Sequence, residues 1–168
     1  LYLRRYTVLQ EKELDEAVQQ NSAEISESLR KTLKHMLKLF PDDSWVHAHY
    51  GNWAWTQEKY ALAEKHLQRS LELQAVYPWA SFRLGVVYFS QEKWELALEL
   101  FEDGLKHEPE NAWAIQQTGF IFEKLDNNEE AISRYEWLMK NAPANLFIVN
   151  RLNSVYWDEF LFEKGENT

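Results

Sequence analysis

The chain has 168 residues, 45% apolar, 27% charged and 15% aromatic, with five Gly, four Pro and no Cys, which is the size of one domain with apolar matter enough for a core. Without Cys there is no disulfide framework, no Cys-based zinc or iron–sulfur site and no thiol nucleophile, and scarce Gly and Pro exclude collagen-like and low-complexity chains. Eighteen Lys and Arg against 27 Asp and Glu leave a net charge of −9. That is the wrong sign for holding nucleic-acid phosphates by counterion release, and no apolar run approaches the ~20 residues of a membrane helix.

In chain order, residues 1–9 read as an N-terminal extension, either a linker or an extra half-helix. The chain opens at Leu1 without Met, which suits a piece of something longer, and the stretch lacks the apolar centre of a signal peptide. Residues 10–43 read as a degenerate helix pair. Glu13 to Gln20 would be its first helix and Asn21-Ser22 its turn. Leu29, Leu33, Met36, Leu37 and Phe40 form an apolar helical stripe that ends before Pro41.

Three full copies of one unit follow, at 44–77, 78–111 and 112–145. Gly51, Gly85 and Gly119 are equally spaced, and Ala63, Ala97 and Ala131 keep the same period. So do Leu67, Phe101 and Tyr135, and then Leu71, Leu105 and Met139. Pro41, Pro109 and Pro143 lie on the same grid. Residues 146–162 read as a terminal capping helix, a partial repeat with Ile148, Leu152, Val155 and Tyr156 turned inward, and residues 163–168 as a tail.

Each column has a physical reason. Small residues on the first helix of a pair, opposite small residues on the second, let the two helices approach closely. The large residues one turn on fill the space between successive pairs. Pro lacks an N–H and disfavours helix in the residue before it, so Pro109 and Pro143 end one unit and open the next. A lone pair cannot bury its apolar face, and stacking several makes a continuous core.

The best copy reads Leu84-Gly85-Val86-Val87-Tyr88, then Ala97-Leu98-Glu99-Leu100-Phe101, then Pro109. It resembles the tetratricopeptide repeat, a 34-residue helix–turn–helix unit with L-G-x2-Y, A-x3-F and a later Pro. Ser81 stands where that family usually has Trp, while Trp94 takes the aromatic place of the second helix. The resemblance implies an all-α fold: an α-solenoid, a right-handed superhelix of stacked antiparallel helix pairs.

The first helix of each unit carries two apolar stripes. One is expected to pack inward: Val46, Tyr50 and Trp53; Ala80, Leu84 and Val87; Ala114, Thr118 and Ile121. The second contains Trp45 and Trp55, then Trp79, Phe82 and Phe89, then Trp113 and Phe120, then Phe147 and Trp157. In the resembled family this stripe lines the concave surface, where peptides or helices of partners lie. A plainer reading has Trp45, Trp79 and Trp113 resting on the preceding helix as part of the core.

Some members of that family hold a C-terminal carboxylate with paired Lys, Asn and Arg. Here Asn52 matches one such place and Arg83 adds a cation, but Ala48, Trp113 and Gln117 replace Lys, Lys and Arg. That clamp is therefore not expected. Asn52, Gln116, Asn150 and Arg151 are candidates to bond a peptide backbone while the aromatic residues take its apolar side chains.

No catalytic motif is present: no H-E-x-x-H, P-loop, G-x-G-x-x-G or nucleophile elbow. His47 and His49, two apart, point to different helix faces and make a poor ligand pair. The expectation is thus a scaffold and not an enzyme, with no cofactor and no metal. Its partner would be a protein or peptide, with no nucleic acid and no membrane insertion. Two other readings stay open: a homo-oligomer paired through the aromatic face or the C-terminal cap, and a substrate-recruiting arm of a larger enzyme. No Cys suits a reducing compartment without requiring one.

Overall fold

The computed structural model describes the backbone of residues 2–141 and 146–165 and the side chains of residues 21–141 and 148–157. Among the described residues eight helices follow one another: α1 Tyr2–Leu39, α2 Ser44–Thr56, α3 Tyr60–Leu73, α4 Pro78–Ser90, α5 Trp94–His107, α6 Ala112–Lys124, α7 Asn128–Asn141 and α8 Leu146–Gly165. No strand occurs among the described residues. Each helix packs chiefly on its neighbours in sequence, and α2 also touches α4. The chain is an α-solenoid of stacked helix pairs.

The starts of the first helices have local causes. Asp43 accepts from Val46 N at 3.0 Å and Asn111 from Ala114 N at 3.1 Å. Each side chain satisfies one of the amides that a helix N-terminus leaves without a partner. Midway between them in the repeat register, Tyr77 makes no such bond, and Pro78 supplies a preset φ at the first helical position.

The turns between the helices of a pair repeat as closely. Glu58, Glu92 and Asp126 adopt φ of 57°, 57° and 55°, the left-handed region. The next residue's N–H returns to a carbonyl five residues back: Lys59 to Ala54, Lys93 to Tyr88, Asn127 to Phe122. This is a Schellman motif closing α2, α4 and α6, built here without glycine.

The core lies where the columns predict. Val46, Tyr50 and Trp53, Ala80, Leu84 and Val87, and Ala114, Thr118 and Ile121 are all buried. Leu67, Phe101 and Tyr135 are wholly buried and lie over the glycines of the facing helices. A Cβ on Gly119 would come within 2.6 Å of the Tyr135 ring, and one on Gly51 within 2.7 Å of Leu67 Cγ.

The ends differ from the sequence reading. Residues 10–39 are not a helix pair: α1 runs unbroken from Tyr2 to Leu39, through Asn21-Ser22 and through most of the expected 1–9 extension. Its sequence holds neither Gly nor Pro. Asn and Ser weaken a helix by only about half a kcal/mol each and do not stop one. Leu33 is buried against α2, and Trp53 Nε1 donates to Ser26 Oγ at 3.1 Å.

At the other end, α8 passes residue 162 and reaches Gly165, so three residues of the expected tail are helical. Ile148 and Val155 are buried as expected. Tyr156 is not: it is exposed and donates to Glu136 Oε1 at 2.6 Å. Its hydroxyl finds an acceptor at the rim of α7, which an inward ring would forgo. Pro143 lies outside the described residues.

Candidate functional site

The second residue of α2, α4 and α6 is Trp45, Trp79 and Trp113, and one turn later come His49, Arg83 and Gln117. The repeat register superimposes these pairs along the stack. The Trp45 and His49 rings lie 3.9 Å apart between centroids, and His49 stacks on Trp79 at 4.6 Å. The Arg83 guanidinium lies 5.1 Å from the Trp79 ring and 5.9 Å from Trp113. A ladder of alternating rings and cation, Trp45–His49–Trp79–Arg83–Trp113, thus crosses three helix pairs.

Its ends face solvent, Trp45 being 48% exposed and Trp113 42%. Trp113 also lays its edge on Phe101 at 5.6 Å. The Trp113 ring is thus packed on the core over one part and open to solvent over another.

Burial and the Arg83 charge beside it hold the His49 pKa below its usual value, so this ring is neutral at neutral pH. Burial lowers the Arg83 pKa too, from a value so high that the cation persists. Arg83 has no carboxylate partner among the described residues. Among those residues its guanidinium is met by the two Trp faces, an arrangement worth about 0.5–2 kcal/mol for a partly desolvated cation.

Below the ladder the expected residues divide. Phe82 is 4% exposed and belongs to the core, contrary to its assignment to a groove. Its ring lies over Gly104 of α5, with Cδ1 2.7 Å from where a Cβ would stand, and packs on Phe101 and Trp113. A glycine on the facing helix opens the space that draws the ring in. Ala48, one repeat before, is buried, while Gln116, one repeat after, is half-buried.

Asn52 is half-buried, and its Oδ1 is buried with no donor among the described residues. Trp55 donates from Nε1 to Ser90 Oγ at 3.0 Å, linking two units. Phe89 meets the Trp94 ring edge-on at 5.2 Å. Phe120 is half-buried and Asn150 exposed. The side chain of Phe147 lies outside the described residues.

Arg151 is engaged by a neighbour. Its guanidinium pairs with the Glu123 carboxylate, with Nε 3.1 Å from Oε1, and lies over the Phe120 ring at 5.3 Å. The Tyr135 hydroxyl donates to the same carboxylate, and burial first, then Glu123, pushes that phenol's pKa up. Arg151 therefore ties α8 to α6.

Two residues have roles that the sequence reading does not single out. His49 figures there only as a poor metal ligand, yet it stands one period before Arg83. Glu123 falls in the column of Trp55 and Phe89, and a lone acid in an aromatic column signals an ion pair across repeats. No cluster of three or more His, Asp or Glu among the described residues is placed to hold a metal ion, and no described helix is long and apolar enough to cross a membrane.

No family model matches the sequence, and no curated protein matches it. Among solved structures the chain is similar to MamA of Desulfovibrio magneticus RS-1, at 18% identity and a TM-score of 0.76, over 92% of this chain and 89% of that one. The first TPR of Spaghetti (RPAP3), bound to the HSP90 peptide SRMEEVD, matches at 21% identity and a TM-score of 0.65, over 69% and 92%. YrrB, a TPR protein with an unusual peptide-binding site, matches at 17% identity and 0.70, over 79% and 68%. The repeat register, the stacked pairs and these likenesses agree: the chain has the tetratricopeptide-repeat fold.

Proposed function

We propose that the chain is a non-catalytic interaction scaffold that holds an extended peptide or a helix of a partner protein along the face bearing its aromatic ladder. The observation that carries this is the ladder itself, three Trp rings with a neutral His and a cation between them, open at both ends. A contiguous apolar surface of this kind usually marks a contact site. In this reading 44–77, 78–111 and 112–145 are the repeat units, each contributing one rung.

The chemistry of the face suggests what it takes. Arg83 has no carboxylate partner among the described residues, so an acidic side chain of the ligand would complete it with a charge-assisted bond. Trp45, Trp79 and Trp113 would receive apolar side chains on either side. Asn52, half-buried on α2, would offer its amide to the peptide backbone once its side chain turns outward, its Oδ1 being buried and unmatched among the described residues as it stands, a state that costs about 1–3 kcal/mol. Gln116, Phe120, Asn150, Trp55 and Phe89 would border the ligand. Arg151 would act indirectly, by holding α8 in place.

The test is selection of displayed random peptides on the intact chain. Enriched sequences are expected to carry an acid flanked by apolar residues. They should lose binding to a Trp45→Ala/Trp113→Ala variant and lose the acid preference with Arg83→Gln. Peptides that bind wild type and the Trp variant equally would remove the ladder from recognition.

A further inference from the structure

The chain carries a net charge of −9, yet one stretch of α1 reverses that sign. Arg30, Lys31, Lys34 and Lys38 fall close together, with no Asp or Glu between Ser28 and Pro41. The flanking acids are engaged: Glu27 accepts from Arg30 Nε at 2.7 Å and Asp42 from Arg69 at 2.8 Å. Lys31 reaches Glu27 only at 4.0 Å, and Lys34 and Lys38 have no ion pair among the described residues.

Folding alone does not account for this. A basic side chain favours a helix C-terminus only within the last turn, which here holds Lys38 and neither Lys31 nor Lys34. Spacings of three and four put the three ammonium groups on one face, where like charges disfavour the helix. That face is one wall of a cleft of about 590 Å³, lined on its other sides by Tyr50 of α2 and His66 of α3.

Tyr50 is an independent sign of a ligand. It is 4% exposed, with its ring packed on Trp53 and His66 at 5.3 and 4.6 Å between centroids. The Arg30 charge, held first by Glu27, also feels the Tyr50 phenol, so the hydroxyl points towards α1. It makes no hydrogen bond among the described residues, and a phenol so buried usually has a partner. His66 adds no charge, since burial first, then His47 and Lys65, lower its pKa to about 4. Lys65 stands beside it as a further cation, from α3.

We propose that this cleft binds the phosphoryl group of a phosphate ester, its oxygens held by Lys31, Lys34 and Lys38 and by a hydrogen bond from the Tyr50 hydroxyl. The chemistry selects this class. A phosphate monoester brings close to two negative charges and three strong acceptors, which a single carboxylate does not. Lys meets phosphate as a point charge on a flexible stem. Lys31 and Lys38 stand about 10 Å apart along the helix, within what two such stems can close around Lys34. The acids elsewhere do not oppose this, because at physiological salt charges beyond about 8 Å are largely screened.

The test is titration calorimetry on the intact chain at constant ionic strength. Inorganic phosphate probes the group, and blocked phosphoserine and glycerol phosphate probe its source. Binding with a dissociation constant of about 1 mM or tighter is expected. A preference for phosphoserine would mark a modified protein as the source, and a preference for glycerol phosphate a free ester; either supports the site. Lys34→Ala/Lys38→Ala should weaken binding about tenfold or more and Tyr50→Phe severalfold, with helical content unchanged. Lys106→Ala/Lys140→Ala removes as many cations elsewhere and should change nothing.

No binding of any of the three probes at about 10 mM would overturn the proposal. So would equal weakening by the two double-lysine variants, or binding that Lys34→Ala/Lys38→Ala leaves intact. The cleft shares no residue with the aromatic ladder, so this test and the peptide selection fail separately.

Discussion

Phe82 shows how one absent side chain relocates another. The ring occupies the volume that a Cβ of Gly104 would need, so Phe82→Ala leaves a cavity between α4 and α5. The expected cost is about 3–5 kcal/mol, read as a lowered midpoint in urea unfolding. A truncated groove residue would instead leave stability nearly unchanged.

The inward position of Phe82 was not legible in its own helix, where it shares a face with Trp79 and Phe89. The cue sat in the column of Ser70, Gly104 and Leu138, which reads the space available to Ala48, Phe82 and Gln116 across the pair. The columns of Gly51 and Leu67 could be read because small and large recur together in every copy. Phe82 with Gly104 occurs once.

A second residue-scale consequence concerns His66. His47 Nε2 donates to the Pro41 carbonyl at 2.9 Å, which leaves its Nδ1 to accept from His66 Nδ1 at 3.0 Å. Burial, with His47 and Lys65 nearby, lowers the His66 pKa to about 4. The unfolded chain therefore binds a proton on this ring below about pH 6.5 that the folded chain refuses until about pH 4. Its contribution to stability is full above pH 6.5 and declines as pH falls toward 4. Thermal unfolding of wild type should fall more steeply between pH 7 and 5 than that of His66→Gln. Identical slopes would mean that His66 titrates normally in the fold.

At the scale of the element, the turns hold untapped stability. Glu58, Glu92 and Asp126 each place an L side chain in the left-handed region, at a cost of about 1–2 kcal/mol relative to the right-handed one. Glu92→Gly should therefore raise stability by about 0.5–1 kcal/mol, measured by the denaturation midpoint. A loss would show that the Glu92 side chain supplies more than the backbone strain removes.

Helix existence and order were readable from periodicity and from the Pro columns, and so was the scaffold architecture. The continuity of α1 was not. Asn21-Ser22 supplies turn-forming chemistry without forcing a turn, and whether it bends depends on whether a second surface pulls the chain back. The length of α8 was likewise hidden, because no Pro follows Leu146 to stop it.

For the molecule as a whole, contacts run almost only between sequence neighbours. Stability is then near to a sum of local interfaces, and the ends open first. The Glu123 carboxylate, with Arg151 from α8 and Tyr135 from α7, is a polar tie of the C-terminal end, beside that of Tyr156 to Glu136. Glu123 is 14% exposed and Arg151 35% at the side chain, so breaking the pair should cost about 1–2 kcal/mol, between the values for exposed and buried ion pairs. Hydrogen exchange in Arg151→Ala is expected to speed up in α8 and leave α4 and α5 unchanged. A uniform rise across all helices would mean that the solenoid opens as one unit.

The ladder has a length, and the repeat sets it. Its step is one ring and one side chain per repeat, Trp79 with Arg83 being the step that residues 78–111 contribute. Duplicating that segment in tandem would add one Trp and one Arg between the existing ends, with the new ring meeting the old guanidinium as Trp113 now does. The face would then work as a ruler: the longer chain should select longer peptides with two acids at a fixed interval, and that interval would report the rise of the superhelix per repeat.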